Sequence, residues 1–73
     1  MKWRIGDKVE TLDAECIQLG RKLLKNGDIT KVTRINRAAG LIYIRATRDN
    51  KFKRDLLLYD YELKFIKKLE ELQ

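Results

Sequence analysis

The sequence predicts a mainly β fold: five short antiparallel strands, curled tightly enough to close into a small barrel, with a long first loop and a short C-terminal helical tail. Three observations predict it. Asn26-Gly27-Asp28 is a turn signal that opens the run Ile29 to Ile35, and Asn36-Arg37-Ala38-Ala39-Gly40 then joins it to the returning strand Leu41-Ile42-Tyr43-Ile44-Arg45. Upstream, Ile5-Gly6-Asp7-Lys8-Val9 supplies a bend and the start of another strand. Finally, 73 residues of which 44% are hydrophobic make one folded domain over residues 1–73, with a small core and no room for a deep cleft.

Lys8-Val9-Glu10-Thr11 alternates with the two-residue period of a strand, and Gly6-Asp7 bends the chain into it. Two readings compete for residues 13–25. On a helical wheel Cys16, Ile17, Leu19, Leu23 and Leu24 share one face and Glu15, Gln18, Arg21, Lys22 and Lys25 the other, with Asp13 as a cap and Gly27 as a stop. Gly20 interrupts that pattern, so a long irregular loop containing a helical turn is the other reading. In the next strand Ile29, Val32 and Ile35 recur at three-residue steps, and a bulge near Thr30-Lys31 would turn all three inward. Ile42, Ile44 and Ala46 point one way and Leu41, Tyr43 and Arg45 the other, the pattern of a central strand. Asp49-Asn50 marks a turn, and Phe52 with Leu56, Leu57 and Leu58 supplies the fourth strand. Tyr59-Asp60-Tyr61-Glu62 reads as a tight turn before a closing strand Leu63-Lys64-Phe65-Ile66. In the tail, Phe65, Ile66, Leu69 and Leu72 make one helical stripe opposite Lys64, Lys67, Lys68 and Glu71.

With these elements in place the chain resembles the Src-homology-3-like (SH3-like) small barrels, and within them the KOW type found in transcription factors and ribosomal proteins. The matching residues are Gly27, the aliphatic pair Val32 and Ile35, Gly40, and Ile42 with Ile44. Gly6-Asp7-Lys8-Val9 and the Tyr59 to Glu62 turn extend the likeness over residues 3–67. The chain departs from the KOW pattern at Thr30, where the family places its most typical glycine.

The residue inventory argues against catalysis. There is no histidine, so the commonest general base and metal ligand are both missing. The one cysteine, Cys16, builds neither a disulfide nor a zinc site, suits a reducing cytoplasm, and reads as a small apolar residue. Asp49, Asp55 and Asp60 lie scattered among cations, and no glycine-rich phosphate loop occurs. No cofactor or metal is expected. Neither a signal-type apolar segment nor a stretch long enough to span a bilayer is present, so no membrane partner is expected and the expected location is cytoplasmic.

Charge is the remaining lead. Seventeen Lys and Arg against eleven Asp and Glu give a net charge of +6, which attracts polyanions. Lys31, Arg34, Arg37, Arg45, Arg48, Lys51, Lys53 and Arg54 fall in the central hairpins, so a curled sheet gathers them onto neighbouring strands and loops. Such a stripe binds phosphates with salt-sensitive, sequence-independent affinity of about 10⁻⁴ to 10⁻⁶ M. Tyr43 and Phe52 are the candidates to stack on bases; Phe52 also reads as core, and Tyr43 is balanced between core and surface. The leading expectation is a noncatalytic nucleic-acid binder using Lys31, Arg34, Arg37, Tyr43, Arg45, Arg48, Lys51 and Lys53. The alternative is a protein-interaction module or inhibitor, of the sort mobile genetic elements encode, docking a partner through Trp3, Tyr59 and Tyr61. A subunit that oligomerises through exposed strand edges is a third class.

Overall fold

A computed structural model describes residues 2–48, 51 and 53–69. Along these residues the chain forms β1 (Lys8–Thr11), a one-turn α1 (Ala14–Gln18), β2 (Ile29–Asn36), β3 (Leu41–Arg45), β4 (Asp55–Leu58), a 3₁₀ helix (Asp60–Phe65) and β5 (Ile66–Lys68). The five strands make one antiparallel sheet in the order β4-β3-β2-β1-β5.

The longest strand, β2, serves two neighbours in turn. Its first half pairs with β1, Lys31 opposite Lys8, and its second half with β3, Ile35 opposite Ile42. Between Val32 and Arg34 the register slips, leaving Thr33 as the extra residue of a bulge. The bend there lets the two halves of the sheet face a common interior. Val9, Val32, Ile42, Ile44, Leu56, Leu58 and Ile66 fill that interior from the strands, while Ala14, Ile17, Leu23 and Leu24 cover it from α1 and the segment after it. Two hydroxyls stitch β2 to β3: Thr30 Oγ1 donates to the Arg45 carbonyl at 2.5 Å and Thr33 Oγ1 to that of Tyr43 at 3.4 Å. At the hairpin end Gly40 takes φ +69°, a left-handed conformation that an L side chain rarely adopts.

The predicted strand 8–11, the Asp13 cap and the common face of Ile42, Ile44 and Ala46 are all observed. Leu56, Leu57 and Leu58 form a strand as expected, with Leu56 and Leu58 facing inward. Other expectations are corrected. The sheet is not closed: β4 and β5 stand at its two edges, and the 3₁₀ helix, packed against α1, β4 and β5, occupies the gap between them. The bulge lies at Thr33 rather than Thr30-Lys31, so Ile29 faces outward at 59% exposure while Val32 is buried. Of the two readings of residues 13–25, the long loop containing a helical turn is the one observed: α1 ends after a single turn, because Leu19 takes a left-handed φ of 52° and donates its N–H back to Glu15. That reversal exposes Cys16 and Leu19, both assigned to the apolar face, and buries Gln18, assigned to the polar one. Gly27, expected to stop the helix, instead turns the chain into β2 at φ +90° and donates its N–H to the Thr11 carbonyl at 2.7 Å.

The tight turn expected over residues 59–62 is the start of the longer 3₁₀ helix. It carries the backbone through Phe65, so the closing strand runs Ile66–Lys68 instead of residues 63–66. The helical tail is accordingly absent over residues 66–68, which pair with β1, Ile66 opposite Thr11. The expected turn at Asp49-Asn50, the core role of Phe52 and the stripe position of Leu72 lie outside the described residues.

Candidate nucleic-acid interface

Strand pairing decides which of the candidate residues meet. Arg34, Tyr43 and Leu57 are successive cross-strand partners on β2, β3 and β4, so all three project from the outer face of the sheet. There the Arg34 guanidinium carbon lies over the Tyr43 ring, 4.8 Å from its centroid, a cation–π contact. Two residues along β3, on the same face, Arg45 Nε donates to Asp55 Oδ1 at 2.9 Å across the β3–β4 pair. Beside it Lys31 is exposed on β2, and Lys31, Arg45, Thr33, Val32, Ile5 and Gly6 line a shallow depression of about 210 Å³. Lys31, Arg34, Tyr43 and Arg45 thus form one outward group.

The other candidates are placed elsewhere. Arg37 is exposed in the β2–β3 loop, and Lys51 and Lys53 are exposed in the β3–β4 connection. Arg48 is held by Asp28: its Nε and Nη2 donate to the two carboxylate oxygens at 3.2 and 3.1 Å. Asp28 also accepts from the Thr47 hydroxyl at 2.6 Å and from the Lys25 N–H at 3.0 Å, which ties the entrance of β2 to the exit of β3. The guanidinium of Arg48, with the Thr47 hydroxyl, holds the Asp28 carboxyl well below the usual carboxylate range, and the same pairing raises the Arg48 pKa. Arg48 is a structural cation first.

The alternative set divides as well. Tyr59 and Tyr61 stack with centroids 5.7 Å apart and planes 3° from parallel. They line a groove of about 380 Å³ together with Cys16, Leu19, Arg21 and Phe65. Trp3 is not in that groove; it packs half-buried against the core with Lys68 Nζ 5.9 Å from its ring centroid. Sequence reasoning missed Leu19 and Arg21 as groove residues because only the left-handed reversal at Leu19 brings them there.

Cys16 is exposed, and its thiol donates to Asp13 Oδ2 at 3.3 Å, which together with the carboxylate's charge pushes its pKa up. That favours the unreactive thiol over the thiolate. Among the described residues no group of three or more His, Cys, Asp or Glu is placed to hold a metal ion. None of their helices is long and apolar enough to cross a membrane. No family model, curated protein or solved structure matches this chain.

Proposed function

We propose that this protein is a noncatalytic domain of the SH3-like, KOW-like type with an open sheet, acting in the cytoplasm, that binds nucleic acid through the outer face of β2 and β3. The fold reading is supported by the β4-β3-β2-β1-β5 order, by the bulge that lets β2 serve two half-sheets, and by the 3₁₀ helix between β4 and β5. The functional reading is supported by one observation: Lys31, Arg34 and Arg45 share a single outward surface with Tyr43, Arg34 lying over its ring. Side chains presented this way reach the phosphate backbone without a conformational change, and the net charge of +6 draws the polyanion in. Arg45 brings less than a full charge, since Asp55 already faces it.

A salt series in a filter-binding or anisotropy assay tests this. About three phosphate contacts predict a log–log slope of roughly −2 to −3. Charge reversal at Lys31 together with Arg34 should flatten that slope. Absence of binding to both DNA and RNA at low salt rejects the proposal.

A second reading, a protein-interaction module or inhibitor, is favoured by the exposed Tyr59–Tyr61 stack and its groove. Stoichiometric capture of a protein from nuclease-treated lysate, lost on Tyr61→Ala, is the outcome that would promote it.

A further inference from the structure

We infer that the Arg34–Tyr43 cation–π pair is a base platform, so that the ligand of the outer face is a single-stranded segment of nucleic acid rather than a duplex. The inference rests on the nucleic-acid reading of that face and deepens it by naming the form of the ligand.

Tyr43 occupies the middle of β3, flanked by Arg34 on one side and Leu57 on the other, and is half-buried, so its ring is held in place. The guanidinium 4.8 Å above the ring centroid extends that fixed surface by one more flat, cationic layer. A planar guanidinium and an aromatic ring are the two side-chain surfaces on which unpaired bases stack. A base in a duplex is already stacked on both faces and has nothing to gain from them.

The surroundings supply the backbone contacts. Arg45 lies two residues from Tyr43 on the same strand face, about 7 Å along β3. With Lys31 it lines the 210 Å³ depression beside the platform. A base on the platform therefore leaves its neighbouring phosphate beside two cations. Among the described residues this face is made of the strands β2 and β3, with no projecting helix or ribbon of the kind that enters a duplex major groove.

The test uses fluorescein-labelled short oligonucleotides of mixed sequence, as DNA and as RNA, each single-stranded and as its duplex, in anisotropy titrations at low salt. Wild type should bind the single strand at least about 5-fold more tightly than the duplex. Tyr43→Phe keeps the ring and should keep that preference. Tyr43→Val keeps strand propensity but removes the ring, and should abolish the preference while leaving the salt slope unchanged. Arg34→Gln, at an exposed position, gives a second variant and should reduce both preference and slope. Equal affinity of wild type for single strand and duplex overturns the inference and leaves the nucleic-acid reading standing. Equal preference in Tyr43→Phe and Tyr43→Val, with both variants showing wild-type urea midpoints, also overturns it. No binding to any oligonucleotide overturns both.

Discussion

Asp28 holds the junction where three segments meet, and its replacement has a calculable cost. Its carboxylate accepts from the Lys25 N–H, the Thr47 hydroxyl and two nitrogens of Arg48, at 3.0, 2.6, 3.2 and 3.1 Å. The two neutral donors contribute about 0.5 to 1.5 kcal/mol each. The Arg48 side chain is 48% exposed, so the ion pair is screened by solvent and adds little to these two bonds. Asp28→Ala should therefore cost about 1 to 3 kcal/mol, which in a domain of this size lowers Tm by roughly 5 to 20 °C. Asp28→Asn retains one acceptor and should cost about half as much.

Acid adds a sign to the prediction. Because Arg48 and Thr47 hold the folded-state pKa below that of an unfolded aspartate, the unfolded chain binds more protons between the two values. The contribution of the carboxylate is complete above about pH 4 and disappears as pH falls through the folded value. Urea unfolding followed by circular dichroism, from neutral pH downward, should show wild type losing stability faster than Asp28→Asn below about pH 4. Asp7 is lowered too, chiefly by the Arg4 N–H, but it is common to both proteins and cancels in the comparison. Parallel acid profiles, or a cost below about 0.5 kcal/mol for Asp28→Ala, would refute the account of this junction.

Three further perturbations probe the packing. The Thr11 hydroxyl oxygen is buried with no hydrogen-bond partner, so the isosteric Thr11→Val should raise stability by about 1 kcal/mol in urea; a loss would mean that the hydroxyl is satisfied. Gln18 Oε1 accepts from the Leu23 and Leu24 N–H groups, both at 2.8 Å, and Gln18→Leu should cost about 2 to 4 kcal/mol by leaving two buried donors unpaired. The check is its thermal midpoint beside that of Gln18→Glu, which keeps the acceptor. Ile29→Lys should change the urea midpoint by less than about 0.5 kcal/mol, since Ile29 faces solvent; a cost of core size would restore the inward placement.

The sequence alone determined the existence of the strands, the residues of β3 that share a face and the glycine turns at Gly27 and Gly40. Each of these depends on a local cause: side chains alternate every two residues, and positive φ is adopted most readily by a residue without a Cβ. Its surplus of cations was legible for the same reason, being a matter of counting. What required tertiary structure is everything that depends on register. The bulge falls at Thr33 because β2 must satisfy β1 and β3 at once, and that choice sends Ile29 outward. The left-handed Leu19 cancels the helical wheel on which Cys16, Gln18 and Leu19 were sorted. The cations divide by the same logic: Arg48 is drawn to Asp28, 20 residues away, Arg45 to Asp55, and Arg34 to the ring of Tyr43. Periodicity says which way a side chain points, but only the pairing of distant strands says what it meets there, because that partner is chosen by the packing of the whole sheet.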